Sequence, residues 1–536
     1  MSVSPRRLRV GASALTALAI ISTAACTAGG GGGNASGGSG ATTLTVNTSF
    51  VLKTLDPGRV YEATGLTAVH ALYDTLLTFE GSDVSKPVPA LAESYEVSAD
   101  AKTFTFKLRQ GVKFSDGSPL TADDVVFSLN RLKNIKASPA VTVSELSVSK
   151  TDDSTVVVTS ATANPNVPVV LSMPSTAVIN AKVAQENGAK DGEDAAQGDT
   201  AQQYLDTNSI GSGPYVLKSY EPESQVVLEA NPDYWGDKPK FDRVVLRNMD
   251  VQTQKLTMQR AEANEISLDI SGKLLEGLPG TLQTSGVQDT VYFLFLNADP
   301  AVSAVTADAK FNQALRAAID YQGIAALYGQ GAAPGAGLVA PAFPGALPEG
   351  EASTRDVAKA KALLAEAGLT NPKVKFSYPA ITYKGVDLGT VATKVQGDVA
   401  EAGITLELNP QPLTTFLDEM RGGKMPMGFT PQSLNYPVAD SLINNMAPGQ
   451  PTALRSGWTV DRADAAVVAA GKMVTETLDL AARATAMQEW QRLMNQSSPY
   501  IVLASNSSTV VATADLTGAD YTAAGWQVDV AAVGRK

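Results

Sequence analysis

The stretch Thr103-Phe104-Thr105-Phe106-Lys107-Leu108-Arg109-Gln110-Gly111-Val112-Lys113-Phe114-Ser115-Asp116-Gly117, followed by Thr121-Ala122-Asp123-Asp124-Val125, orders everything around it. Apolar residues at every second position from Thr103 to Leu108 give a strand with one buried face. A second run, Ser94–Val97, precedes it, so Ser98–Lys102 is the turn of a hairpin. Asp116-Gly117 is a tight turn. Beyond it, Thr121 at the N-cap with Asp124 three residues on is the signature of a helix start. Acids in a first turn offset the helix dipole, so Asp123 and Asp124 are structural rather than catalytic.

Outward from this block, Ala41–Phe50 is a first strand and residues 66–79 carry apolar residues at helical spacing. Residues 184–204 form a polar helical or loop insertion. Strands follow at Gly211–Val216, Gln225–Glu229 and Val244–Arg247, and helical periodicity at Thr253–Ala263. From residue 288 the texture changes. Val291–Leu296 has the length of a buried strand, and helices are expected at Phe311–Asp320 and Val357–Ala367, the latter closed by Gly368. Strand Val374–Tyr378, helix Thr390–Ala402, strand Ile404–Leu408 and helix Leu413–Met420 then alternate, as in a parallel α/β sheet. Two lobes of different texture result, with a ligand expected between them.

The 536 residues are 44% hydrophobic and 18% charged, a globular composition. Forty-two basic residues against 54 acidic ones leave a net charge of −12, which argues against nucleic acid as a partner. With one cysteine and one histidine, intramolecular disulfides, thiolate clusters, HExxH and three-His zinc sites are excluded. A serine triad would have to run through His70, whose apolar neighbours mark it as packed beside a helix. Paired carboxylates stay open as chemistry, but Asp and Glu are too abundant to single out a pair.

Residues 1–25 hold Arg6, Arg7 and Arg9, no acid, and then an uncharged stretch from Val10 to Ala25, the layout of a secretory signal. The adjacent Arg6-Arg7 leaves both the general and the twin-arginine export routes open. Cys26 follows directly, and this junction resembles a bacterial lipobox, with Thr23 where the usual pattern has Leu. The resemblance implies lipidation at Cys26. Gly29–Gly33 and the Gly/Ser-rich residues after it are flexible coil, suited to a tether over residues 26–42. No later segment reaches about 18 uninterrupted apolar residues, so the body is expected to be soluble.

Several stretches in the right order resemble one family. They are Leu55-Asp56-Pro57, Ala71-Leu72-Tyr73-Asp74-Thr75-Leu76, Pro89–Tyr95, the Thr103–Gly117 block, Gly211–Tyr215, Asn231-Pro232-Asp233-Tyr234-Trp235-Gly236, Asn312–Asp320 and Ala360–Gly368. The family is the extracytoplasmic solute-binding lipoproteins of ABC importers, peptide/nickel/opine class (family 5, type II cluster C). The resemblance implies an α/β, bilobal, type II periplasmic-binding-protein-like (Venus flytrap) fold with an enlarged first lobe. Lobe I would take residues 43–290, with 501–536 returning to it, and lobe II residues 291–500. Segments near Val291–Leu296 and Tyr500–Leu503 would form the hinge. It further implies a monomer without cofactor or enzymatic activity, lipid-anchored to the outer face of the cell membrane, which delivers its solute to a membrane permease.

In the family's peptide binders, a Trp-x-x-Asp-Tyr pattern before a second-lobe helix supplies an Asp that takes the peptide's α-amino group. The matching stretch here is Gln432-Ser433-Leu434-Asn435-Tyr436-Pro437, with Gln432 at the Trp position and Asn435 at the Asp position. An amide cannot neutralise an ammonium. Asp440 either caps the following helix or reaches the ligand; Glu62 could face the cleft from lobe I. Tyr61 and Tyr436 either stack on ligand or pack in the core. A short peptide or a peptide-like or opine compound is the leading ligand class. Oligosaccharides and metal chelates are the alternatives within the fold; a secreted carboxylate hydrolase, or a surface sensor that kept the fold, lies outside it.

Overall fold

Two long antiparallel strands, Gln283–Leu296 and Tyr500–Ala512, lie side by side in the middle of the main sheet. The structure is a computed structural model that describes residues 42–434 and 436–536. The leader 1–25, the lipidation candidate Cys26, the tether as far as residue 41, and Asn435 lie outside the described residues. The six residues Val291–Leu296 read as one apolar run because both faces are buried. Tyr292, Leu294 and Leu296 enter one core, while Val291, Phe293 and Phe295 enter the other.

Among the described residues the main sheet has eleven strands. On one side of the central pair stand Met427–Ser433, Lys373–Pro379 and Thr405–Gln411. Lys373–Pro379 is parallel to both of its neighbours, as the strand–helix alternation requires, but Met427–Ser433 meets the central pair antiparallel. The sheet is therefore mixed. On the other side come Glu265–Ser267, Thr43–Thr48, Arg243–Asn248, Gln225–Ala230 and Tyr215–Glu221.

A separate four-stranded antiparallel sheet contains the expected hairpin, Ala92–Val97 with Thr103–Leu108, joined by Thr155–Ser160 and Leu146–Asp152. Its core includes Phe104, Phe106, Val156 and Val158, with Val125 and Leu129 from helix Ala122–Asn134. That helix opens on the predicted capping box, in which the Thr121 N–H donates to the Asp124 carboxylate at 2.9 Å.

Two elements differ from expectation. Residues 66–79 are not one helix: helix Ala63–Leu72 stops at Tyr73, and Leu77–Glu80 is a strand. Asp74 stands between them, where its half-buried carboxylate accepts from Ser212 Oγ at 2.7 Å and Trp235 Nε1 at 2.8 Å. The strand expected at Val291–Leu296 begins eight residues earlier, at Gln283, because Tyr500–Ala512 pairs with its polar half as well. His70 is packed as expected. Its ring stacks on Trp526 with centroids 4.1 Å apart, and Nε2 lies 3.8 Å from Asp529. Among the described residues no helix is long and apolar enough to cross a membrane.

Candidate ligand site

Helix Asp440–Met446 starts two residues after the stretch Tyr436-Pro437. Ala439, not Asp440, occupies its N-cap position, and Asp440 makes no capping hydrogen bond, which corrects the capping reading. The physical reason is a stronger partner. Asp440 Oδ2 pairs with the guanidinium of Arg483 and also accepts from Asn166 Nδ2 at 2.6 Å. An ionised pair with little solvent around it outweighs a single neutral backbone donor. Both side chains are largely shielded, at 10% exposure for Arg483 and 15% for Asp440.

Arg483 belongs to helix Leu480–Ser497, whose buried stripe continues through Met487, Trp490 and Met494. One guanidinium nitrogen donates to the Thr477 carbonyl at 2.7 Å, while Nε is buried without a hydrogen-bond partner. Together these groups line a narrow, partly open crevice of about 50 Å³. Val84, Asn166 and Val169 form one wall; Pro437, Arg483 and Met487 form the other.

Tyr436 is half-buried against the main core. Burial pushes its hydroxyl above the usual range, with smaller upward contributions from Tyr61 and Asp440, so these groups share one electrostatic neighbourhood. Glu62 occupies the N-cap position of helix Ala63–Leu72, and its carboxylate pairs with Lys53 Nζ at 2.8 Å. The Tyr61 N–H also donates to that carboxylate, at 3.3 Å.

Gln432 and Ser433 end strand Met427–Ser433, opposite Val291 and Thr290 of the long central strand. Ser433 Oγ lies 2.7 Å from Thr290 Oγ1. Thr290 in turn accepts from Lys384 Nζ at 2.5 Å, and the same ammonium donates to Asp289 at 2.8 Å and to Ser508 at 2.6 Å. Tyr521 adds a hydroxyl donor to Asp289 at 2.8 Å. Burial pushes the Asp289 carboxyl up, but Lys384, Ser508 and Tyr521 outweigh it and hold the group below its ordinary value. Lys384 reaches the cluster from the turn between Thr382–Tyr383 and Val386–Asp387, where Lys384 and Gly385 both have positive φ (46° and 78°). Those angles suit a two-residue hairpin turn.

The structure thus brings Tyr61, Tyr436 and Asp440 into one region and ties Ser433 to the central strands. Glu62 is drawn to Lys53. The reading from sequence missed Asn166, Arg483, Lys384 and Asp289. Arg483 alone had a local signal, a charged residue in register with the apolar stripe Met487, Trp490 and Met494. Among the described residues no group of three His, Cys, Asp or Glu side chains is placed to hold a metal ion.

A model described as bacterial extracellular solute-binding proteins, family 5 Middle, matches residues 86–453, and the chain belongs to that family. It is 32% identical over 291 residues to the probable D,D-dipeptide-binding periplasmic protein DdpA of Escherichia coli strain K12. That match covers 51% of this chain and 52% of DdpA, so it spans about half the relative's length. Among solved structures, HbpA2 from Haemophilus parasuis superposes with a TM-score of 0.77 at 24% identity, over 92% of this chain and 100% of that one. AgaA from A. tumefacien R10, in complex with agropinic acid, superposes with a TM-score of 0.68 at 22% identity, over 92% of this chain and 99% of that one. The fold is therefore the bilobal α/β fold of periplasmic binding proteins. Members of this family are bacterial extracellular solute-binding proteins.

Proposed function

We propose that this chain is the substrate-binding lipoprotein of an ABC importer. It captures a small solute, a short peptide or a peptide-like or opine compound, between its two lobes and delivers it to a membrane permease. Lobe I takes residues 43–290 with 501–536 returning to it, lobe II takes 291–500, and the central strands that cross between them act as the hinge. Cys26 carries the lipid, residues 26–42 are the tether, and the monomer works at the outer face of the cell membrane.

The observation that carries the reading is the seam at Asn166 and Asp440. Residues 274 positions apart in the chain meet there through one hydrogen bond beside a crevice, on either side of the proposed hinge. A ligand that touches both sides stabilises the shut form by its differential affinity for it, and the shut form is what a permease recognises. The dipeptide named for DdpA and the opine bound to AgaA support the ligand class.

A thermal-shift screen of the purified protein tests this. A true solute raises the melting temperature as RT ln(1 + [L]/Kd), and the solute is recovered unchanged. No shift with any short peptide or opine, or turnover of the compound added, would remove the reading.

A further inference from the structure

We propose that Asn166 and Asp440 form a latch that holds the two lobes shut without help from a solute. This rests on the reading above, in which residues 43–290 and 291–500 move as separate lobes about the central strands. Asn166 Nδ2 donates to Asp440 Oδ2 at 2.6 Å. Each half of that bond is held in place by its own lobe. Asn166 stands at the N-cap position of the short helix Val167–Val170, where its N–H donates to Asn164 Oδ1 at 3.1 Å and its carbonyl accepts from the Val170 N–H at 3.0 Å. Its side chain makes no capping bond there, so the amide reaches across the seam instead. Opposite, Arg483 pairs with the same Asp440 oxygen and is itself fixed by the Thr477 carbonyl at 2.7 Å. Arg483 is a positioning residue, which aims the carboxylate at lobe I.

The bond joins an amide N–H to a carboxylate side chain only 15% exposed, so it is stronger than a neutral hydrogen bond and weakly screened. Apolar surface closes with it. Val84 and Val169 of lobe I and Val438 and Met487 of lobe II line the same crevice, and each is between 2% and 7% exposed. The crevice of about 50 Å³ leaves room for a few waters. Opening would return those side chains to water and exchange the Asn166 donor for a water molecule. Both terms favour the shut form through protein atoms alone. A second tie, from Lys384 to Asp289 and Ser508, lies on the central strands themselves, where rotation about them moves it least. Asn166 and Asp440 stand outside the main sheet, so opening must break their bond. A solute then enters during brief openings, and the latch sets how rare these are and how long a captured solute stays.

Small-angle X-ray scattering from the solute-free protein, stripped by unfolding in guanidinium chloride and refolding, tests this in the wild type and in Asn166→Asp. Aspartate is accepted at an N-cap position as readily as asparagine, and the substitution leaves the Asp440–Arg483 pair intact, but it sets a carboxylate against Asp440. The shut-to-open ratio should fall by about tenfold or more, read as a larger radius of gyration than the wild type's. Asn166→Ala, which removes the donor without adding charge, should fall between the two, and it decides the matter if Asn166→Asp does not refold. Equal radii in wild type and variant, whether all compact or all expanded, would overturn the latch. That result leaves the solute-binding reading standing wherever a short peptide or opine still raises the wild-type melting temperature; the absence of any such shift overturns that reading separately.

Discussion

Replacing Lys384 by methionine keeps most of the side chain's bulk and removes its charge. The ammonium makes three hydrogen bonds, to Asp289, Thr290 and Ser508. Asp289 would keep its hydroxyl donors, Ser508 at 2.8 Å and Tyr521 at 2.8 Å, but lose its countercharge. Because the lysine and aspartate side chains are only 17% and 11% exposed, solvent screens the loss weakly. Removing one partner of such a pair costs roughly 3–5 kcal/mol, and the retained hydroxyls put the expected value near the lower end, about 3 kcal/mol.

The sign of the pH dependence follows from Asp289. In the wild type its carboxyl sits below the ordinary value, so its contribution to stability is present above the unfolded pKa of about 3.9 and is lost as pH falls through the folded value. Without Lys384, burial dominates and the carboxyl rises, so the folded variant takes up a proton more readily than its unfolded chain. The stability gap is then widest near neutral pH and narrows under acid. Urea unfolding followed by tryptophan fluorescence, at about pH 7.5 and about pH 4.5, measures both quantities. A loss under about 1 kcal/mol, or one equal at the two pH values, would refute the reasoning. The double variant Lys384→Met with Asp289→Asn should recover most of the loss, since no buried charge is left unpaired.

Arg131 is a second such position, 1% exposed and held by Asp56 at 2.7 and 2.6 Å and by Asp199 at 2.8 and 3.0 Å. Arg131→Met should cost about 5 kcal/mol, read as a collapse of soluble yield or of the urea midpoint, and Arg131→Lys should restore only part because it cannot form both forks. At the proposed ligand loop, Asn435→Asp should turn preference toward cationic amines and Asn435→Ala should weaken binding of the solute retained from the host, both measured by calorimetry. Unchanged affinity in the two variants would show that position 435 does not contact the solute.

Local features were legible in the sequence. The alternation in Thr103–Leu108, the capping box at Thr121 and the helix ends at Gly368 and Gly403 depend on neighbours a few residues away, and both glycines have the positive φ that a helix stop requires (68° and 93°). What stayed hidden depends on distant partners. The polar half of the long strand, Gln283–Thr290, has no period of two, and becomes a strand because residues more than 200 positions later pair with it. Asp440 looked like a cap because its competing partners, Arg483 and Asn166, are 43 and 274 residues away. The same distance conceals the Asp289–Lys384 pair. The family pattern drew attention to residues 432–436, but not to the charge pairs Asp440–Arg483 and Asp289–Lys384.

Native mass spectrometry of the protein purified from its own cells tests the central claim most directly. A single small molecule per chain, released on denaturation with its mass unchanged by prolonged incubation, is the predicted result. A chain that carries no small molecule under any growth condition, or one that converts what it carries into a compound of different mass, would contradict it.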